Sequence, residues 1–148
     1  MFSQSTEYAL RAAVWLAENE GHPQTTHQIA EATRVPAPYL AKMLQALSRA
    51  KLVRGARGVG GGFELTRPAG EVSILDIVNA VDPIRRITSC PLDLAAHRLH
   101  LCPLHKKLDD AIAVIETSFA TTYLADVLGA NSPQKPLCEF VEVALAAK

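Results

Sequence analysis

The segment from residue 52 to residue 66, LVRGARGVGGGFELT, constrains the fold of this chain more than any other part of the sequence. Residues 52–54 and 63–66 carry apolar and β-branched side chains that suit strands, and a glycine-rich run separates them. Because glycine adopts positive φ without a steric cost, we expect this run to form the tight connection of an antiparallel hairpin. The glycines expected to supply these conformations are Gly58, Gly60, Gly61 and Gly62.

Two short helices are predicted directly before the hairpin. Thr25 and Gln28 have the spacing of a capping box, which predicts a helix over residues 26–33. Pro38 suits the first position of a helix, and we expect the next helix to run from residue 38 to residue 50. Two short helices joined by a tight turn and followed by a hairpin predict a winged helix-turn-helix, in which the hairpin is the wing.

Further helices are predicted on both sides of this unit. Residues 5–20 are rich in Ala and Leu and predict a first helix that Gly21 ends. Ser73 and Asp76 form a second capping box, which predicts that the segment ILDIVNAV is helical.

The last predicted helix is the longest and runs from about residue 103 to residue 128. Apolar or aromatic residues recur in it at intervals of three or four and form one stripe: Leu104, Leu108, Ile112, Ile115, Phe119 and Tyr123. A helix of this length outreaches the core of a small domain, so we expect it to pack against the same helix of a second copy. The sequence therefore predicts a homodimer.

The charge of the chain is balanced in total but uneven along its length. Its 15 Lys and Arg residues match its 15 Asp and Glu residues. Between residues 34 and 67, however, Glu64 is the only acid. The basic residues of this stretch are Arg34, Lys42, Arg49, Lys51, Arg54, Arg57 and Arg67. Basic residues on a helix-turn-helix and its wing predict binding to the phosphates of double-stranded DNA.

Polar side chains of the second short helix lie outside its apolar stripe and are candidates for contacts in the major groove. These side chains are Tyr39, Lys42, Gln45 and Arg49. On the wing, Arg54 and Arg57 are expected to reach the minor groove or the phosphate backbone, and Gly60 and Gly61 allow close approach. The alternative is that these charges are only solvated, on a module that binds another protein.

The elements together predict a mainly α fold with a small β-hairpin wing: a winged helix-turn-helix plus a long dimerisation helix. We place the DNA-binding domain at residues 1–82, a cysteine-bearing sensor loop at 83–102, the dimerisation helix at 103–130 and a tail at 131–148. Cys138 lies in the apolar tail, where we expect it to pack as a small hydrophobic residue.

Other classes of protein are disfavoured. No stretch approaches the roughly 20 consecutive apolar residues of a membrane span. Glu7 and Arg11 lie where the apolar core of a secretion signal would be, and the 3 cysteines do not make a disulfide framework, so we expect a cytoplasmic protein. No nucleophile, base and orienting residue form a recognisable set, so we do not expect an enzyme.

Several motifs together are similar to the Rrf2 family of winged-helix transcriptional regulators. They are TEYALR in the first helix, QIAEATRVPAPYLAKMLQALSRAKLV, RGVGGGFELTRP and ILDIVNAVD, and the similarity extends to about Gly129. The resemblance implies a dimer whose long helices cross, with one recognition helix for each half of a palindromic operator. It also implies regulation of transcription, expected here to be repression, in response to redox, iron-sulfur or nitric oxide status.

The resemblance further implies a sensor site. Cluster-binding members have three cysteines in the loop before the long helix and an acidic ligand from the first helix of the other subunit. Cys90 and Cys102 match the first and third cysteines, and Glu7 matches the acid, but the middle cysteine is missing near Ala96. Imidazole can replace thiolate on iron, so a 2Fe-2S cluster would need a nearby histidine. The candidates are His97, His100 and His105.

Other chemistry of the same residues stays open. Cys90 and Cys102 could form a reversible disulfide, the Cys and His residues could bind zinc, or the cysteines could be ordinary buried side chains. Cys102 begins the predicted long helix, where backbone N–H groups favour a thiolate. We therefore hypothesise that a change in this loop alters the angle between the long helix and the winged unit. A cluster-free regulator, controlled by a thiol switch or by a partner protein, is the alternative.

Overall fold

The computed structural model describes residues 2–92, 94–95, 100–130 and 136 of the chain. It confirms the mainly α fold with one antiparallel two-stranded hairpin. The elements in chain order are α1 (Gln4–Glu18), α2 (Thr26–Thr33), α3 (Ala37–Arg49), β1 (Val53–Ala56), β2 (Gly62–Leu65), α4 (Ile74–Val81), α5 (Pro103–Ala120) and α6 (Leu124–Leu128), with a short 3-10 turn at Ala69–Glu71. None of the described helices is both long and apolar enough to cross a membrane.

Both predicted capping boxes are confirmed. The backbone N–H of Gln28 donates to Thr25 Oγ1 at 3.2 Å, and the N–H of Thr25 donates to Gln28 Oε1 at 2.8 Å. The N–H of Asp76 donates to Ser73 Oγ at 3.1 Å, and the N–H of Ser73 donates to Asp76 Oδ2 at 3.0 Å. Residues three apart in sequence therefore fix the starts of α2 and α4.

The turn between α2 and α3 contains a residue in the left-handed conformation. Arg34 has φ 55° and ends α2, and Pro36 then occupies the N-cap position of α3. The prediction placed Pro38 at the first position of this helix. The helix begins at Ala37, so Pro38 lies at its second position. The predicted apolar stripe of α3 is confirmed, because its buried residues are Leu40, Met43, Leu44 and Leu47.

The wing is shifted relative to its predicted strands. Val53 pairs with Leu65 and Ala56 with Gly62, whereas the prediction placed the strands at 52–54 and 63–66. Positive φ is confirmed at three of the four predicted glycines, Gly58, Gly60 and Gly62. The prediction is wrong for Gly61, which is needed for a different reason: a Cβ there would lie 2.4 Å from the carbonyl oxygen of Ala56.

A third segment pairs with the wing, and this pairing was not predicted from the sequence. The N–H of Gln24 donates to the carbonyl of Phe63 at 2.9 Å, and the N–H of Phe63 donates to the carbonyl of Gln24 at 2.7 Å. The connection between α1 and α2 thus pairs with β2, which lies between it and β1, and it fixes the wing against the helix-turn-helix.

The core forms around α1, which packs against α2, α3, α4, α6 and β2. Ala9, Ala12 and Ala13 are fully buried in it, and their small side chains allow the neighbouring helices to approach closely. Leu16 and Ile77 are also almost fully buried. Burial of one large aliphatic side chain contributes about 1.5–3 kcal/mol, so the winged unit has a core of its own.

The long helix is shorter than predicted. It ends at Ala120 and not near residue 128, and α6 follows it as a separate helix. Thr121 and Thr122 turn their hydroxyls back to the carbonyls of Thr117 and Ser118, at 3.0 and 2.9 Å, and such bonds compete with continuation of a helix. The first helix is also shorter than the predicted 5–20, since it ends at Glu18.

The chain after α5 returns to the winged unit. The N–H of Ile74 donates to the carbonyl of Thr122 at 2.9 Å, and the N–H of Leu124 donates to the carbonyl of Val72 at 3.0 Å. Leu124 is fully buried in the core. Two backbone hydrogen bonds therefore fix the end of α5 to the start of α4.

Most of α5 lies outside this core. Among its residues only Asp109 is buried, whereas Leu104, Leu108 and Val114 are 65%, 48% and 70% exposed. Ile112 and Ile115 instead line a cavity of about 260 Å³ between α1, α4 and α5. Within the predicted stripe, Leu104 and Leu108 therefore face outward, whereas Ile112 and Ile115 face a cavity of the chain itself.

Candidate nucleic-acid interface and sensor site

The polar face of α3 is exposed as predicted. Its four candidate DNA-contacting side chains are all exposed, on the side of the helix away from the buried stripe: Tyr39, Lys42, Gln45 and Arg49. An exposed helix with a polar face of this kind has the width and the hydrogen-bonding groups that the major groove accepts. The structure thus presents one candidate recognition helix.

Tyr39 is connected to α1 by an aromatic contact. The centroid of its ring lies 6.0 Å from that of Tyr8, with the planes tilted by 60°. Lys42 Nζ lies 6.0 Å from the Tyr39 ring, and the guanidinium of Arg11 lies 6.0 Å from the Tyr8 ring. We call Arg11, Tyr8, Tyr39 and Lys42 the tyrosine row, because two neighbouring rings lie between two cations in it, from α1 to α3.

Sequence reasoning missed the contribution of α1 to this site. Arg11 Nε donates to Glu7 Oε1 at 2.9 Å, and Arg11 Nη1 lies 3.5 Å from the carbonyl oxygen of Thr33 at the end of α2. The spacing of Glu7, Tyr8 and Arg11 places them within one turn of α1, but nothing in the sequence shows which element they contact.

The wing presents one paired and one unpaired arginine. Arg54 Nε donates to Glu64 Oε1 at 2.8 Å across the hairpin, so part of its charge is neutralised. Arg57 is exposed in the loop and forms no ion pair within the part of the chain that the structure describes. Gly60 is exposed beside it, and Gly61 is half-buried against the hairpin backbone.

The sensor candidates are brought together only in part. Cys102 is half-buried at the N-cap position of α5, and its Sγ lies 3.2 Å from Nδ1 of His105. Cys90 is buried, with 8% of its surface exposed. His100 is exposed. His97 and Cys138 lie outside the described residues.

A 2Fe-2S cluster needs four protein ligands. Within the described part of one chain, no three His, Cys, Asp or Glu side chains lie together in an arrangement that could hold a metal ion. The carboxylate of Glu7 forms an ion pair with Arg11. The described residues of a single chain therefore do not fit a complete cluster site, although Cys102 and His105 are in contact with each other.

A further ion pair, between Arg86 and Asp109, fixes the segment before Cys90. Arg86 donates to both carboxylate oxygens of Asp109, at 2.7 and 2.6 Å, and the N–H of Ile87 donates to Asp109 Oδ1 at 2.9 Å. The hydrogen bonds from Arg86 lower the pKa of Asp109 to about 2, and the same bonds raise the pKa of Arg86. Sequence reasoning missed this pair, because residues 23 positions apart carry no local signal.

The chain matches the family model of Rrf2, described as iron-dependent transcriptional regulator, over residues 2–130. A protein of Aquifex aeolicus (strain VF5), whose assignment as an HTH-type transcriptional regulator is itself provisional, is 28% identical over 131 residues. The match covers 86% of this chain and 91% of that protein.

Two solved structures have a similar fold. CymR, the global cysteine regulator of B. subtilis, has a TM-score of 0.74 and 21% identity, and the match covers 89% of this chain and 98% of that one. IscR of T. potens has a TM-score of 0.72 and 24% identity, with 90% and 93% of the two chains covered. Both likenesses confirm the winged-helix architecture predicted from the sequence.

Proposed function

Because this chain belongs to the Rrf2 family of DNA-binding transcriptional regulators, which are not enzymes, we propose that it is a homodimeric repressor of a palindromic operator. The observation that supports this proposal best is the exposed polar face of α3, held beside a wing that carries Arg57. Gln45 and Arg49 have the groups that read base edges, and Lys42 and Arg57 would contact phosphates.

The exposed side of α5 supports the homodimer. Leu104 and Leu108 lie one turn apart and leave an exposed apolar surface on a helix of 18 residues, which a second copy related by a twofold axis would cover. A twofold axis also gives two recognition helices, which read half-sites about 34 Å apart on one side of the duplex. The operator is therefore expected to be palindromic.

The test of this proposal is binding to promoter fragments as a function of salt concentration. Each phosphate contact releases counterions, so replacing Lys42 or Arg57 by alanine should reduce the slope of log K against log salt by about 0.9. Lys107→Ala is the control, since it removes the same charge from exposed α5. An unchanged slope in both variants would show that Lys42 and Arg57 do not contact phosphates. A protein without salt-dependent binding to promoter fragments would favour the alternative of a module that binds only a partner protein.

We further propose that redox or iron status is sensed at Cys90 and Cys102, with His105 as the neighbour of Cys102. The contact of 3.2 Å between Cys102 Sγ and His105 Nδ1 supports this, because cysteine sulfur and imidazole nitrogen are both ligands that iron takes in proteins. Glu7 and a loop histidine would complete a 2Fe-2S site only across two chains or with residues outside the described ones. A cluster-free thiol switch needs only the cysteines.

Anaerobic purification distinguishes the two forms of sensing. Visible absorption together with equal iron and sulfide supports a cluster, and Cys102→Ala and His105→Ala should then remove iron. An iron-free, colourless protein whose operator affinity changes with a thiol oxidant, and no longer does so in Cys102→Ala, supports the thiol switch. Operator affinity that is the same under all these conditions would refute sensing at this site.

A further inference from the structure

We infer that Arg11 is a positioning residue that fixes the recognition helix without contacting DNA. This inference rests on the proposed reading of the operator by α3. Arg11 lies on α1, and its guanidinium contacts Glu7 Oε1 at 2.9 Å and the ring of Tyr8 at 6.0 Å on the same helix, and the Thr33 carbonyl at the end of α2 at 3.5 Å.

The contact with Thr33 acts on the turn that orients α3. The carbonyls at the end of a helix lack backbone donors and carry partial negative charge, which a cationic side chain stabilises. The Thr33 hydroxyl is already used, because it donates to the carbonyl of Ile29 at 2.6 Å. Arg34 follows with φ 55°, a conformation that costs free energy in any residue with a Cβ. Arg11 therefore stabilises a strained turn from outside the helix-turn-helix.

The contact with Tyr8 acts on the first turn of α3. Tyr8 lies between the Arg11 guanidinium and the ring of Tyr39, and Tyr39 is exposed on the face that we propose reads DNA. One side chain of α1 thus reaches both the turn before α3 and, through Tyr8, the beginning of α3 itself.

Glu7 holds the guanidinium of Arg11 in the orientation in which it reaches Thr33. It lies one turn before Arg11 on the same helix, and the pair leaves Nη1 directed to Thr33. The planar fork of arginine is required for this arrangement, since a lysine ammonium is a point charge that cannot donate to Glu7 and Thr33 in the same geometry.

Arg11→Lys and Arg11→Gln, each in the full-length dimer, test the inference. For both we expect the dissociation constant for operator DNA to rise about tenfold, which is the usual effect of losing a charge-assisted hydrogen bond. Binding to nonspecific DNA and the salt slope should stay as in the unaltered protein. Glu7→Gln should show a smaller effect in the same direction.

A phosphate contact by Arg11 would give a different pattern. Arg11→Lys would then bind as the unaltered protein, and Arg11→Gln would lower specific and nonspecific affinity together, with a salt slope smaller by about 0.9. Either result overturns the inference. If the unaltered protein binds no operator, the proposed function fails instead. The role of Arg11 can then be measured without DNA.

Hydrogen exchange provides that measurement. The amides of Tyr39 and Leu40 donate to the carbonyl of Pro36 at 3.0 Å each, so they report opening of the turn. Arg11→Gln should speed their exchange severalfold and leave the amides of α4 unchanged. Faster exchange to the same extent at α3 and at α4 would indicate a general loss of stability. Unchanged exchange at both helices would show that Arg11 does not hold the turn. Each of these results contradicts the inference that Arg11 is a positioning residue.

Discussion

Asp109 of α5 accepts two hydrogen bonds from the guanidinium of Arg86, at 2.7 and 2.6 Å, and so joins α5 to the segment that follows α4. The other end of α5 is joined to the segment before α4 by the backbone of Thr122 and Leu124. The helix is therefore held to the winged unit on both sides of α4. The hypothesis that the sensor loop changes the angle of α5 stays a prediction, and such a change would have to strain these connections.

Replacing Asp109 by asparagine should destabilise the protein at neutral pH. Asparagine keeps the size of the side chain but removes the charge that Arg86 contacts, and it leaves the guanidinium without its bidentate partner. Urea unfolding at pH 7 should show a lower midpoint for Asp109→Asn. The matched control is Asp110→Asn, which removes the neighbouring carboxylate from its exposed pair with Lys106 and should have little effect.

The effect of Asp109→Asn should also depend on pH. The folded protein lowers the pKa of Asp109 from about 3.8 to about 2, so the carboxylate contributes stability that is fully present above its unfolded value. That contribution is lost as the pH falls from about 4 to about 2. The difference in unfolding free energy between the two proteins should therefore be constant from pH 7 to 5 and shrink below pH 4. A difference that grows on acidification would contradict this assignment.

Adjacent residues of α3 should separate stability from DNA binding. Leu44 is buried and Gln45 is exposed, so the two side chains serve opposite faces of one helix. Leu44→Ala should lower the free energy of unfolding by about 2–5 kcal/mol. Gln45→Ala should change it by less than about 0.5 kcal/mol but reduce discrimination at one operator base pair by about 1–3 kcal/mol. Chemical unfolding and binding to single-substitution operators measure the two effects.

The sequence predicted those parts of the fold that depend on neighbouring residues. Thr25 with Gln28 and Ser73 with Asp76 satisfy each other within three positions, so their spacing predicts where α2 and α4 begin. The end of α5 could not be predicted in this way. Its apolar spacing continues to Tyr123, but the helix ends at Ala120, where the hydroxyls of Thr121 and Thr122 bond back to carbonyls and the chain returns to pair with Ile74.

In the candidate site too, features that depend on neighbouring residues could be predicted and contacts between distant residues could not. Helical periodicity predicted that Lys42 and Gln45 are exposed, because it depends only on the buried stripe of α3. The contact of Arg11 with Thr33 joins residues 22 positions apart, and it follows from the packing of α1 across the helix-turn-helix. No local pattern distinguishes such an arginine from one that is only solvated.

Gly61→Ala should disrupt the wing more than Gly58→Ala. A Cβ at residue 61 would lie 2.4 Å from a backbone oxygen, which cannot move without breaking the hairpin, whereas residue 58 has open space and only an unfavourable φ of 97°. The latter costs about 1–2 kcal/mol. Operator affinity should therefore fall further for Gly61→Ala, with unfolding of the helical core monitored in parallel. Equal losses of affinity in the two variants would contradict the ranking, and affinities equal to that of the unaltered protein would show that the geometry of the loop does not matter for binding.

The outward side of α5 is expected to form the contact between two copies of the chain. If a second copy covers Leu108, then Leu108→Asp would bury a charge without a partner in the dimer, and the dimer dissociation constant should rise about 100-fold or more. Operator affinity should fall with it, because one protomer contacts only one half-site. Sedimentation equilibrium measures the first effect and DNA binding the second. Lys106→Asp places the same carboxylate on the charged side of α5, beside Asp110, and should remain a dimer. Dissociation by both variants would indicate a general effect of charge on α5, and dissociation by neither would place the dimer contact elsewhere on the molecule.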